Sequence, residues 1–183
     1  KVTPLRPNFV GGHPMDGTAD SGIEAALSGL FDGNPYVLTP METTPPTAVK
    51  LVEELVRSLT SRVYFCRPQD HDRAVAWISH LPVMVSASLI DTCMSETDPT
   101  VLELAQQLAS SGFRDTSRVG GGNPELGLMM ARYNREYLLR SLISYRHNLN
   151  QFIELLEQED WQTLEDKLKQ TQLQRSPFVS KLE

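Results

Sequence analysis

His13 sits in the run Gly11-Gly12-His13-Pro14-Met15-Asp16-Gly17-Thr18, straight after the short apolar segment Asn8-Phe9-Val10. A neutral imidazole is suited to taking a proton near pH 7, and glycines on both sides let the backbone turn and a ligand come close. Read alone, the histidine is either such a base or a structural residue at the end of an apolar run. His71-Asp72 opens a helical segment, where the aspartate favours the helix dipole and a structural role is the simpler reading. His80 falls in Ser79-His80-Leu81-Pro82, where the proline removes an intrahelical hydrogen bond and frees carbonyls near residue 78. That Ser-His pair is either self-satisfied or lines a pocket. His147, between Arg146 and Asn148, reads as a surface residue. Gly112-Phe113-Arg114-Asp115-Thr116-Ser117-Arg118-Val119 puts two arginines and an aspartate ahead of Gly120-Gly121-Gly122. Arginine grips a planar carboxylate with two parallel N–H donors, so this segment is either a carboxylate site or a solvated loop. The glycine run is no phosphate-binding fingerprint: no strand precedes it and the G-x-G-x-x-G spacing is absent. No H-x-x-x-H or H-E-x-x-H spacing supports a metal site, and none is expected.

The elements that must position these residues change character near residue 67. Before it, strand-like and helical segments alternate. Phe9-Val10 is strand-like, and 21–30 has helical spacing at Ile23, Ala26, Leu27 and Leu30. Tyr36-Val37-Leu38-Thr39 reads as a strand, and Pro45-Pro46 opens a helix with Val49, Val52, Val56 and Leu59 on one face. Arg62-Val63-Tyr64-Phe65-Cys66 reads as a third strand. This is the pattern of a mostly parallel sheet with crossover helices. Three strands are too few to complete such a sheet, so further units are expected ahead of Lys1.

After Arg67-Pro68 only helices are expected. One runs over 70–92, interrupted at Pro82. Another starts at Thr97-Asp98-Pro99, with Asp98 as N-cap. A loop over 110–124 precedes a single long helix over 124–156. Within that helix Leu138, Leu142, Tyr145, Leu149, Phe152 and Leu156 recur at heptad spacing. A last helix starts at Asp160 and carries Trp161, Leu164 and Leu168. The heptad seam packs either inside the chain or against a second copy. The helical region 68–183 offers little interior to so long a helix, which favours a homodimer.

Composition narrows the class further. The 183 residues include 17 Lys and Arg against 23 Asp and Glu, a net charge of −6. No basic stripe with interleaved aromatics appears, so nucleic-acid binding is disfavoured. Cys66 and Cys93 share no metal or redox spacing and read as small buried apolar residues of a reducing, cytoplasmic compartment. The longest apolar stretch, 74–90, contains His80 and Pro82 and fits a buried helix better than a membrane span. No signal-peptide pattern is present. A start at Lys1 reads as a piece cut from a longer protein.

Together, His13-Pro14-Met15-x-Gly17-Thr18, His71-Asp72 with Ser79-His80-Leu81-Pro82, and Gly112-Phe113-x-Asp115-x-x-Arg118 form an ordered set. With Leu30-Phe31-x-Gly33 and Leu38-Thr39-Pro40, this set resembles the prephenate and arogenate dehydrogenases of tyrosine biosynthesis. The resemblance implies an α/β part followed by an all-α part. Residues 1–67 would be the C-terminal part of a Rossmann-type NAD(P)-binding domain, and 68–183 an all-helical substrate and dimerisation domain of a homodimer. It implies oxidative decarboxylation of a small-molecule substrate, arogenate to tyrosine or prephenate to hydroxyphenylpyruvate. Hydride would pass to NADP or NAD, with NADP slightly favoured by likeness to arogenate-type enzymes. His13 matches the catalytic histidine that hydrogen-bonds the ring hydroxyl, and Arg118 the arginine that binds a substrate carboxylate. Thr18, Ser79 and Asp115 match pocket-lining, substrate-binding positions.

Three departures carry consequences. Val83 stands where the family often has a second histidine, which removes a possible positive charge and suits the ammonium group of arogenate. Leu126-Gly127 follows Pro124-Glu125 where a tryptophan is common. The dinucleotide fingerprint, and a serine that partners the histidine in the family, would lie upstream of Lys1. Two other readings compete. A different dehydrogenase of the same build, acting on a hydroxy acid, would usually carry a lysine on the helix after the linker, and that helix has none. A non-catalytic helical dimer would leave all four histidines structural.

Overall fold

Tyr36, Val37, Leu38 and Thr39 are β-branched, aromatic or aliphatic residues that pack well on a pleated surface, and they form the middle of a small sheet. The computed structural model describes residues 7–17 and 22–179; Thr18 lies outside them. Strands β1 (Gly11–Pro14), β2 (Pro35–Thr39) and β3 (Arg62–Phe65) lie in the order β1-β2-β3. β2 and β3 are parallel and are joined through α1 (Pro46–Ser58), the expected crossover unit. Pro46 opens α1 where a missing N–H costs nothing, and Val56 and the fully exposure-free Leu38 are buried.

β1 corrects the expectation of a mostly parallel sheet. It runs antiparallel to β2, with Gly11 opposite Thr39 and His13 opposite Val37. His13 therefore sits on a hydrogen-bonded strand, a stiffer mount than the expected turn. The helix expected over 21–30 also does not form among the described residues. Only Ile23–Ala25 makes a 3₁₀ turn, and Ile23 and Leu27 stay exposed. Helical spacing of apolar residues makes a helix only where there is a surface to bury them against.

Helices α2 (Pro68–Val75) and α3 (Leu81–Met94) are one continuous run through the π-helical turn Ala76–His80. The cause lies two residues beyond the turn's end. Pro82 has no N–H to offer residue 78, and its ring would press on that carbonyl; widening the hydrogen-bond ring relieves both. The whole run Pro68–Met94 is long and apolar enough to cross a bilayer by length and composition, which the shorter stretch 74–90 did not foretell. Three of its polar residues are bonded to other parts of the chain: His71 to His13, His80 to Asn134, and Ser86 to Thr116 and Gly120.

α4 (Pro99–Leu108) is capped as expected, with the Asp98 carboxylate accepting from the amides of Thr100 and Val101 at 2.9 and 3.4 Å. The segment expected as a loop folds in part into α5 (Ser111–Ser117). Ser86, only 1% exposed, locks the end of α5 to α3. Its Oγ donates to the Thr116 carbonyl and accepts from the Gly120 amide, both at 2.8 Å. A Cβ at Gly120 would fall on the α3 backbone at Ser86 and Ala87, so only glycine permits this approach. The expected single helix over 124–156 breaks at Asn134 into α6 (Pro124–Tyr133) and α7 (Arg135–Glu157). Asn134 leaves helical geometry with φ −120° and ψ 32°.

The chain divides into two compact units, Lys1–Leu138 and Leu139–Glu183. The second holds most of α7 together with α8 (Trp161–Val179). There Lys167 donates to Gln151 Oε1 at 2.6 Å, and its Nζ lies 5.0 Å from the centre of the Phe152 ring. The heptad seam does not behave as one stripe. Leu138, 4% exposed, belongs to the buried core of the first unit, whereas Tyr145, Leu149 and Leu156 are exposed. Neither cysteine is buried as expected: Cys66 is half-buried and Cys93 exposed.

Candidate active site

Three stretches of the first unit converge on one cavity of about 800 Å³. β1 brings His13, the start of the long helical run brings His71 and Asp72, and its π turn brings His80. The break between α6 and α7 brings Arg132, Asn134 and Arg135, with Tyr133 and Tyr137 beside them. The volume falls in the usual range for a small-molecule site.

A hydrogen-bonded chain runs through the histidines. His13 Nδ1 lies 2.8 Å from His71 Nε2, and His71 Nδ1 lies 3.0 Å from an Asp72 carboxylate oxygen. The two rings meet edge to face, with centroids 5.0 Å apart. On the other side of Asp72, its backbone carbonyl accepts from Asn134 Nδ2 at 2.7 Å, and the same amide nitrogen reaches His80 Nδ1 at 3.2 Å. Burial pushes His13 below its ordinary pKa of 6.5, His71 pushes the same way, and Asp72 pulls against them. His80 is lowered too, by burial first and then by His13, again against Asp72. Both rings are therefore neutral at pH 7, and a neutral imidazole can accept a proton from a ligand hydroxyl.

Of the described residues singled out for substrate, His13 alone lines this cavity. Ser79 sits in the π turn, half-buried, and does not face the cavity's lining set. Asp115 is exposed and pairs with Arg114 at 2.9 Å. Arg118 follows the last residue of α5, is exposed, and is absent from the lining. Val83 faces α6, 3.8 Å from where a Cβ of Gly127 would stand. The cavity instead gathers His71 and His80, whose sequence readings favoured structure or stayed open. It also gathers Arg132, Asn134 and Arg135, which sequence reasoning passed over. Asn134 carried a readable signal, since asparagine competes for backbone hydrogen bonds and is a poor helix-interior residue. Neither Arg132 nor Arg135 has an ion-pair partner among the described residues. Among the described residues no cluster could hold a metal ion. A dinucleotide is a better fit: the parallel pair β2 and β3 ends at Thr39 and Phe65, and the carboxyl edge of such strands is where open α/β sheets take nucleotides.

Comparison with known proteins agrees with this division of labour. The sequence profile of the prephenate dehydrogenase dimerisation domain matches residues 67–170, and that of the prephenate dehydrogenase nucleotide-binding domain matches residues 1–65. The chain is similar to the prephenate dehydrogenase of Bacillus subtilis, 31% identical over 164 residues, covering 90% of this chain and 44% of that protein. The structure resembles that of Synechocystis arogenate dehydrogenase, with a TM-score of 0.86 and 54% identity, covering 96% of this chain and 63% of the other. It also resembles Aquifex aeolicus prephenate dehydrogenase in complex with hydroxyphenyl propionate and NAD⁺. There the TM-score is 0.87 and the identity 30%, over 95% of this chain and 60% of the other. The chain thus spans about half to two thirds of the length of these relatives.

Proposed function

From the premise that this chain belongs to the prephenate dehydrogenase family, we propose that it is the substrate-handling part of a dehydrogenase of arogenate or prephenate. Residues 1–67 complete a nucleotide-binding domain, and 68–183 form the substrate and dimerisation domain. A nicotinamide dinucleotide, NAD or NADP, supplies the hydride acceptor when bound. The chain's own part is to bind a ring carboxylate compound, orient its hydroxyl and manage one proton. His13 takes the hydroxyl proton as the carbinol carbon is oxidised. Loss of CO₂ then returns an electron pair to the ring, and the same imidazole hands its proton back to the phenolic oxygen. Atoms and charge balance without another acid.

The observation that carries this reading is His13 at the wall of an 800 Å³ cavity, neutral and tied to His71. Arg132 and Arg135 line the cavity together with the carboxylates of Asp72 and Glu136, and they are the guanidinium groups on offer there to a carboxylate ligand. Val83 adds no charge, and the 54% identity to Synechocystis arogenate dehydrogenase leans the same way, towards arogenate. The test is nicotinamide reduction and CO₂ release by the enzyme carrying its complete nucleotide-binding domain, with both substrates and both dinucleotides. A higher kcat/KM for arogenate is expected, and no turnover of either substrate overturns the assignment. Its two unpaired cysteines suit a cytoplasmic enzyme.

The family resemblance, rather than the cavity's lining, is the ground for proposing that Arg118, exposed here, binds a substrate carboxylate. Arg118→Ala raises KM about ten- to a hundredfold with a smaller change in kcat, the worth of a charge-assisted bidentate bond. Arg118→Lys recovers part of it, because a point charge does not reproduce the fork. An unchanged KM removes Arg118 from the site.

The exposed apolar residues of α7 and α8, including Leu149, Ile153, Leu156, Leu168 and Leu173, are assigned to a homodimer interface. A stable interface of this kind buries on the order of 2,000 Å² or more. Sedimentation at micromolar concentration gives a dimer, and a stable monomer would refute it.

A further inference from the structure

We infer that Asp72 sets the hydrogen inventory of the cavity, fixing His13 as the Nδ1–H tautomer and His80 as the Nε2–H tautomer. The inference rests on the reading of His13 as the base and adds three positioning residues to it: His71, Asp72 and Asn134.

The deduction needs only one fact about Asp72: its carboxylate and its backbone carbonyl are both acceptors and never donors. Along the first branch, the carboxylate oxygen 3.0 Å from His71 Nδ1 requires a hydrogen on that nitrogen. In the form of His71 that holds a single ring hydrogen, Nε2 is then bare and accepts from the His13 nitrogen 2.8 Å away. The hydrogen of neutral His13 is thus on Nδ1, and its Nε2 carries the free lone pair. Along the second branch, the Asp72 carbonyl 2.7 Å from Asn134 requires the amide NH₂ there, because the amide oxygen would face another oxygen. The second hydrogen of that NH₂ points to His80 Nδ1 at 3.2 Å, which must accept it. The hydrogen of neutral His80 is therefore on Nε2.

The two branches give opposite results on two histidines lining one cavity. One offers an acceptor nitrogen and the other a donor N–H. A ligand hydroxyl is matched by His13, and a ligand oxygen that only accepts, such as a carboxylate or keto oxygen, is matched by His80. When His13 takes a proton, the imidazolium can share it towards His71 and the Asp72 carboxylate, so the charge is not left isolated in a half-buried site. Without His71, nothing in this network decides which nitrogen of His13 is bare.

The experiment is long-range ¹H–¹⁵N correlation of the histidine side chains in the complete enzyme at about pH 8. Signals are assigned with His13→Gln and His80→Gln. The expected pattern is Nδ1–H for His13 and Nε2–H for His80; an Nε2–H pattern for His13, or Nδ1–H for His80, overturns the assignment. Kinetics give an independent readout. His71→Phe keeps a ring of similar size but no acceptor, and kcat falls at least tenfold. His71→Gln keeps an acceptor without the ring, and recovers most of that loss with KM little changed. If phenylalanine preserves kcat and glutamine does not, His71 serves packing and the positioning role is wrong. His13→Ala separates the two layers: full activity there removes the base but leaves the spectra to decide the tautomers.

Discussion

His13→Ala lowers kcat by two to four orders of magnitude, the usual worth of a positioned general base, with a smaller change in KM. The size of the effect follows from the mount as much as from the residue. His13 is held by strand pairing to β2 and by a ring-to-ring hydrogen bond to His71, so its free nitrogen has little room to wander. The pH profile supplies a sign. The base must be neutral, and burial with a neighbouring imidazole lowers its pKa from 6.5. kcat/KM is therefore level at pH 7 and falls on acidification through a limb below 6.5. A wild-type limb above 6.5, or a His13→Ala enzyme with near-normal kcat, overturns the role.

Gly120→Ala destabilises the protein by about 3 kcal/mol or more, at or above the upper end of ordinary overpacking. The clash is with backbone of α3, which cannot step aside as a side chain can. Relief requires α5 to lift away, and that breaks both hydrogen bonds of the buried Ser86 hydroxyl. Against a domain stability of roughly 5–15 kcal/mol this is a large share. Urea unfolding measures it, with Ser86→Ala as the milder companion at about 1–2 kcal/mol. A Gly120→Ala protein with an unchanged midpoint shows that the contact is not as close as the fold places it.

Much of this was legible in the sequence wherever one residue type forced a local outcome. Pro46 and Pro99 opened helices where expected, Asp98 capped one, and β2 and β3 lay where β-branched and aromatic residues cluster. Misreadings came where the deciding partner was distant in sequence. The apolar spacing over 21–30 found nothing to bury it. The segment 110–124 read wholly as a loop, although 111–117 forms α5, because the residue that anchors that helix, Ser86 of α3, lies thirty residues before Thr116. The same holds at the site. His13 stood out by its neighbours in the chain, but His71, Asp72 and Asn134 acquire meaning only through each other. Asn134 was hidden inside what read as one long heptad helix, and its break is what turns its amide towards Asp72 and His80.

The π turn at Ala76–His80 makes helical counting itself unreliable on either side of it. His71 and His80 are nine residues apart, and on a plain α-helix, at about 100° per residue, that sets them half a turn apart, on opposite sides of the rod. The wider turn absorbs one residue more than an α turn, which rotates everything after it back by about 100° and leaves the two imidazoles less than a quarter turn apart. Both can then face one cavity. In phase language, the helix carries a slip of one residue, and Pro82 is the reason the slip stays in place. Removing one residue of this turn ahead of His80 would take away a single side chain, yet point both His80 and Ser86 away from the neighbours they bond.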